Sequence, residues 1–336
     1  MMSKLQEVAD LAKVSKATVS RVINNHENVS ATARQRVLEA MRKLNLNANE
    51  MKRSNEGTMM IGLVLPLTSS IAANSFGMDI LLGVEEKAFE KDYMVLIGNS
   101  SGLNKEKAVV SQMIARDVEG IILLSKNQQS DHLHLLKQSG IPSVLVDQKV
   151  EGENLHLVRG DNLLGAMNLT NYLFSIGHSR IAMVTPSRFS TYRDRIRGFQ
   201  IALLEKGMET GSDRLIDLDE AGMTIAEAMR AILNRSERPT AIFIAHPGDL
   251  LVAVQMINEY NLRIPEDISL VTFDDEYTPL PAEYVDYFTS ITQPAKVMGS
   301  IAVELLFQQI KEPGIQGQEI VLPGALNIRQ STCARV

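Results

Sequence analysis

Residues 5–24 read Leu5-Gln-Glu-Val-Ala-Asp-Leu-Ala-Lys-Val-Ser-Lys-Ala-Thr-Val-Ser-Arg-Val-Ile-Asn24. Leu5, Val8, Ala9 and Ala12 fall at i, i+3, i+4 and i+7, which puts four apolar side chains on one helical face. Ser15 stands where it can cap a second helix, on which Val19, Val22 and Ile23 face inward and Lys16, Ala17, Ser20 and Arg21 outward. Ser30 has the same relation to a third helix, whose Val37, Leu38, Met41 and Leu44 are expected to close a small three-helix core. Two short helices around a tight turn, with cations and a hydroxyl along the outer face of the second, make a helix-turn-helix. Its second helix is shaped to read base edges in the major groove of DNA.

Charge divides along the same line. Residues 1–53 hold ten Lys or Arg and five Asp or Glu, a net charge of +5, against −11 for the rest of the 336-residue chain. A cationic head on an acidic body suits phosphate neutralisation, because Lys and Arg contacts release counterions from the duplex. One cysteine, Cys333, allows neither an internal disulfide nor a cysteine metal cluster. There is no long apolar stretch at the N-terminus and none of bilayer-spanning length elsewhere, so a cytoplasmic protein is expected.

Beyond Arg53 the pattern changes. Met59-Met-Ile-Gly-Leu-Val-Leu65 is a short, branched, apolar run that stops at Pro66, as a buried strand does. Comparable runs follow at Met94–Ile97, Gly120–Leu124, Ser143–Val146, Arg180–Val184, Ala241–Ala245 and Ile268–Phe273. Amphipathic segments of helical length lie between them: Asp79–Tyr93, Lys105–Arg116, Leu163–Ile176, Arg193–Lys206 and Leu250–Tyr260. This alternation predicts an α/β body of parallel sheets covered on both faces, with ligands at the C-terminal strand ends.

The run Glu7–Asn24, with Ala17-Thr-Val-Ser-Arg-Val22 inside it, resembles the LacI/GalR family of bacterial transcription regulators; Val29-Ser30 and Arg36-Val-Leu38 extend the likeness. Landmarks continue through the body at Arg116-Asp-Val-Glu-Gly-Ile-Ile122, Ile176-Gly-His-Ser-Arg-Ile-Ala182, Arg195-Ile-Arg-Gly-Phe199, Phe273-Asp-Asp275 and Ile291-Thr-Gln-Pro294. The resemblance implies a helix-turn-helix head at 1–46, a linker at 47–58 and a two-subdomain, doubly wound, periplasmic-binding-protein-like body at 59–331. The N-subdomain is expected at about 59–160 plus 293–322 and the C-subdomain at about 161–292 plus 323–331, with three crossings between them. It further implies a homodimeric repressor on a pseudo-palindromic double-stranded DNA operator, switched by a small polar effector, a sugar or sugar derivative, with no cofactor and no catalysis. Ser15, Lys16, Ala17, Thr18, Ser20, Arg21 and Asn24 of the head, with Lys52 and Arg53 of the linker, are the expected DNA contacts.

Residue by residue, the resemblance places the effector on Phe76, Asp147, Arg195, Asp249, Asp274 and Gln293. Asp274 supplies two acceptors for a vicinal diol, and Arg195 a planar fork for hydroxyls or an anion. A surface salt bridge is the alternative for Arg195, and plain core packing for Phe76. Helix capping or interlobe bonding is the alternative for Asp147, Asp249 and Gln293. Two stretches depart from the family. His246-Pro-Gly-Asp249 puts Gly248 where a carboxamide is usual, and Asn47–Gly57 lacks the proline and the apolar wedge of a hinge helix, so weak operator bending is expected. A second reading is therefore a small-molecule-binding member with a decayed hinge and little operator affinity. An enzyme is a distant third, since there is no Walker loop and no Gly-x-Gly-x-x-Gly after the first strand. Asp274 and Asp275, adjacent on a strand, diverge, as do His132 and His134 on a helix.

Overall fold

The computed structural model describes residues 4–23, 29–44, 46, 57–67, 75–101, 105–124, 131–150, 155–274 and 281–335. They fall into two compact units, Met1–Met60 with Asp117–Glu119, and Ile61–Arg116 with Gly120–Val336. In the first, α1 (Lys4–Ala12), α2 (Lys16–Ile23) and α3 (Ala31–Lys43) enclose Val8, Ala9, Ala12, Val19, Val22, Val37, Ala40 and Met41. Ser15 Oγ accepts from the Thr18 amide at 3.2 Å and Ser30 Oγ from the Ala33 amide at 3.3 Å, so each serine fills an acceptor place that the helix start leaves open. The third helix differs from the sequence expectation in one respect. Leu38 is 43% exposed and Leu44 is exposed too, while Ala40 is buried. At 100° per residue Ala40 and Met41 share the face of Val37, whereas Leu38 turns away and Leu44 lies past the last turn as the C-cap.

The body continues as β1 (Met60–Leu65), α4 (Ser75–Phe89), β2 (Met94–Asn99), α5 (Lys105–Ile114), β3 (Gly120–Leu123), α6 (Asp131–Ser139), β4 (Ser143–Val146) and β5 (His156–Gly160). After a crossing come α7 (Asn162–Ser175), β6 (Ile181–Thr185), α8 (Ser190–Glu205), β7 (Leu215–Asp217), α9 (Leu218–Ala221), α10 (Ile225–Leu233), β8 (Ala241–Ile244), α11 (Leu250–Glu259), β9 (Ser269–Phe273) and β10 (Thr289–Thr292). The chain then returns for α12 (Ala295–Lys311) and β11 (Glu319–Leu322) and ends the pattern with β12 (Ala325–Asn327). One six-stranded sheet has the order β11-β5-β4-β3-β1-β2, the other β12-β10-β9-β8-β6-β7. Pairing is parallel from β11 to β1 in the first sheet and from β10 to β7 in the second, β12 runs antiparallel to β10, and β2 borders β1 at the edge. The doubly wound α/β architecture read from the sequence is thus the one observed. Both sheets reverse winding direction at one place, between β1 and β3 and between β6 and β8, and the crevice at such a point is where open α/β sheets bind ligands.

The chain passes between the sheets after β5, β10 and β11, and the three crossings lie side by side. The Asp161 amide donates to Leu322 O at 2.7 Å, and a Cβ on Gly324, on the last crossing, would fall 3.1 Å from Thr292 O. Gly160 permits the third contact, since a Cβ there would fall 1.9 Å from Gln293 Oε1. Glycine also sets the packing of α4 on α12: a Cβ on Gly83 would meet Lys296 O at 1.9 Å and one on Gly299 would meet Ile80 O at 2.3 Å. Backbone cannot yield as a side-chain tip can. Replacing Gly299 with alanine should therefore cost about 1–3 kcal/mol by overpacking, more than the helix propensity it gains. Gly77→Ala, whose Cβ would meet only side-chain atoms at 3.6 Å, should cost nothing. Urea midpoints of the two variants test the contrast.

Candidate functional site

On the head, Ser15, Lys16, Ala17 and Arg21 are exposed and Thr18 is half-buried, its hydroxyl 2.9 Å from Ser15 Oγ. Ser15 is thus engaged as the α2 cap, and Lys16, Ala17 and Arg21 make an open face above the buried Val19 and Val22. The side chain of Ser20, together with Asn24, Lys52, Arg53 and the remainder of the linker at 47–56, lies outside the described residues.

In the body, α8 leaves the switch point of the second sheet and carries Arg195 on its inner face, 3% exposed. That burial removes the surface-salt-bridge alternative. Arg195 Nε donates to Asn162 Oδ1 at 2.7 Å, Nη1 to Ala245 O at 2.5 Å and Nη2 to Asp274 Oδ2 at 3.3 Å, while Cζ lies 3.9 Å from the centre of the Phe273 ring. A guanidinium stacked on an aromatic face and bonded in its own plane is fixed in position and orientation. Asp274 ends β9 with a left-handed φ of 52°, an uncommon conformation for a residue with a Cβ and one that re-aims the side chain after the strand. Its carboxylate also accepts the Gln293 amide at 3.1 Å and Gln293 Nε2 at 2.7 Å. Burial raises the Asp274 pKa to about 6 against the opposing pull of Arg195 and Gln293.

Arg195, Asp274 and Gln293 therefore form one bonded group, with Gln293 on the second crossing. Asp147 ends β4 in a left-handed φ of 71° and accepts from Gln148 Nε2 at 3.2 Å; the same Nε2 lies 3.0 Å from Thr191 Oγ1 on the first turn of α8. Asp249 makes no side-chain cap to α11, and its Oδ2 lies 3.2 Å from His246 Nδ1. Phe76 packs against the hydrophobic core of the first sheet, which is the packing alternative for that residue. His132 is buried 3.8 Å from Glu106, whereas His134 is exposed and meets Gln138 at 2.9 Å, so that pair does diverge; Asp275 lies outside the described residues.

Four participants escaped the sequence reading. Asn162 orients Arg195, Gln148 joins the first sheet to α8, and Tyr192 and His246 stand edge to face with ring centres 5.6 Å apart. Position was the available signal for His246, which follows β8 at the switch point. Tyr192 lies three residues before Arg195, so it was placed to share that helix face.

Comparison with known proteins agrees with the architecture of head and body. Residues 4–49 match the family model described as bacterial regulatory proteins, lacI family, and residues 170–332 match the periplasmic binding protein-like domain. The HTH-type transcriptional repressor PurR of Aliivibrio fischeri (strain MJ11) is 30% identical over 318 residues, 93% of each chain. A solved transcriptional regulator CelR–cellobiose complex superposes with a TM-score of 0.72 at 28% identity, covering 98% of this chain and 100% of that one. The lac repressor dimer bound to operator and the anti-inducer ONPF superposes with a TM-score of 0.69 at 25% identity, covering 99% and 100%. These relatives are non-enzymatic regulators. The chain belongs to the LacI family of DNA-binding transcriptional repressors.

Proposed function

We propose that this protein is an operator-binding repressor whose affinity for DNA is set by a small carbohydrate held between the two sheets of its body. The observation that carries the reading is the bonded group of Arg195, Asp274 and Gln293, because it ties a set of ligand-type donors and acceptors at the strand ends to a segment that crosses between the sheets. A sugar hydroxyl donating to Asp274 competes with Gln293 for the same oxygens, so occupancy and crossing geometry are linked. The cellobiose complex of a relative supports the effector class.

Lys16, Ala17 and Arg21 read base edges, and Lys52 and Arg53 meet phosphate. Two heads need two copies. Exposed apolar side chains gather on α4 and on β2 at the edge of the first sheet, with Leu82, Phe89 (76% exposed), Met94 (72% exposed) and Ile97 offering a surface for a second copy of the chain. A mobility shift on DNA upstream of the protein's own gene, with and without ribose and cellobiose, tests the whole reading. Retardation that no sugar alters, or an absence of retardation, would overturn it.

Two sharper expectations accompany it. Arg21→Ala should weaken binding to the operator by about 1–3 kcal/mol and leave binding to random DNA nearly unchanged, as loss of a base contact does. Competition titrations at one salt concentration measure both, and equal losses would reassign Arg21 to phosphate. For Asp274, a pKa raised from 3.8 to about 6 means that the folded state holds the proton more tightly than the unfolded one. The corresponding stability is full below pH ~4 and is lost as pH rises through about 6, on the order of 3 kcal/mol for one buried group. Subtracting the pH–stability curve of Asp274→Asn from that of the parent should isolate this step. Effector affinity should run the other way, falling as pH drops through about 6, because a neutral carboxyl is the weaker acceptor of sugar hydroxyls.

A further inference from the structure

Asp274 and the crevice beside it lie past the C-terminal ends of the second sheet. The opposite, N-terminal ends of β6, β7 and β8 carry a separate group of cations. Arg180 immediately precedes β6, Arg214 immediately precedes β7, and Arg235 stands on the loop that leads into β8. Each guanidinium holds a neighbouring loop. Arg214 Nη1 donates to Ser179 O at 2.9 Å, Arg180 Nε to Arg238 O at 3.1 Å, and Arg235 to Ser212 O at 3.2 Å through Nη2 and to Asp213 O through Nη1. The loop before β7 is thus tied to that before β6, that before β6 to that before β8, and that before β8 back to that before β7. The three arginines close a ring and line a cavity of about 390 Å³, with Ser236 and Pro239 on its wall.

This lacing leaves donors over. Among the described residues, no acceptor is bonded to either Nη of Arg180, to Nη2 of Arg214 or to Nε of Arg235. The carboxylates of the lining are peripheral: the Asp213 side chain is 72% exposed and 3.9 Å from Arg214 Nε, and Glu237 is exposed. Guanidiniums already held by carbonyls lose little side-chain freedom on meeting an anion, and their planar donors match phosphate oxygens. Arg235 is also a wall of a second cavity of about 560 Å³, bordered by α8, β7 and α10. Leu215, Met223 and Ala231 give that cavity apolar surface, and Gln200, Thr210 and Asp217 give it polar groups. Asp217 caps α9 through Oδ1, which accepts the Asp219 amide at 3.0 Å, and so keeps Oδ2 for another donor. An acyl chain would leave these polar groups unsatisfied, whereas a base and a ribose would bond to them.

We propose that the two cavities together bind a nucleoside monophosphate, with the phosphate inside the arginine ring and the nucleoside past Arg235. The site lies at the other end of the sheet from Asp274, so it stands whether or not the crevice takes a sugar.

Isothermal titration calorimetry of the full chain in phosphate-free buffer tests this, with inorganic phosphate, adenosine, guanosine, uridine and their 5′-monophosphates as probes. At least one nucleotide should bind tenfold or more tightly than both inorganic phosphate and its own nucleoside. Ser236→Glu sets a carboxylate on the cavity wall at an exposed position, and should lower that affinity tenfold or more with the melting temperature of the free protein unchanged. Arg180→Gln should lower it fivefold or more. Ala231→Trp, which fills the larger cavity from the exposed side of α10, should reduce the nucleotide to the affinity of inorganic phosphate. Failure of all three nucleotides to bind would overturn the proposal, as would binding that Ser236→Glu leaves at the parental value, since the ligand would then sit elsewhere. Parental affinity in Ala231→Trp, or a parent that binds nucleotide no better than inorganic phosphate, would overturn the placement of the nucleoside.

Discussion

The elements around the seam between the two sheets take their positions from the buried pair of Arg195 and Asp274. A guanidinium removed from water needs its charge matched and its donors engaged, and the surroundings supply both. Asn162 at the start of α7, Ala245 O after β8, and Asp274 with the Phe273 ring at the end of β9 hold it from three segments. Truncating either partner would leave a lone buried charge, which is far costlier than the pair is favourable. Burial nonetheless lifts the Asp274 pKa to about 6, because the pull of Arg195 and Gln293 does not fully offset the loss of water.

The sequence spoke clearly wherever a segment buried on both faces was also a run of apolar residues. β1, β3, β4, β8 and β9 are apolar runs because parallel strands beneath helices meet no water, and the fold class followed from their alternation with helices. β5 (His-Leu-Val-Arg-Gly), β10 (Thr-Ser-Ile-Thr) and β11 (Glu-Ile-Val-Leu) carried too many polar residues or too little length to declare themselves. They are strands because a sheet offers each a neighbour, and no local preference encodes that. The same division holds at the site. Arg195 and Asp274 stood in recognisable surroundings, whereas Asn162, Gln148, Tyr192 and His246 matter through contacts with residues tens of positions away.

The two lobes solve one packing problem in parallel. Each sheet reverses at a single switch point, and each lobe brings two helices together at a glycine: Gly83 and Gly299 between α4 and α12, Gly198 against Leu163 O between α7 and α8. Close helix contact of this kind is stiff, because the opposing atoms are backbone. Stiff lobes concentrate any relative displacement at the segments joining them, and those segments are where Gln293 and Gly160 lie.

Three crossings set side by side through Asp161 with Leu322, Gly324 against Thr292 and the Gly160–Gln293 contact have a kinematic consequence. Separate tethers would let two bodies slide, shear and twist independently. Three adjacent strips bound to one another resist translation and leave rotation about their common line as the soft coordinate. Ligands of different shape lodged between the lobes would then be translated into positions along a single angle. The protein would compare them on one scale, much as a balance reports weight and is blind to form.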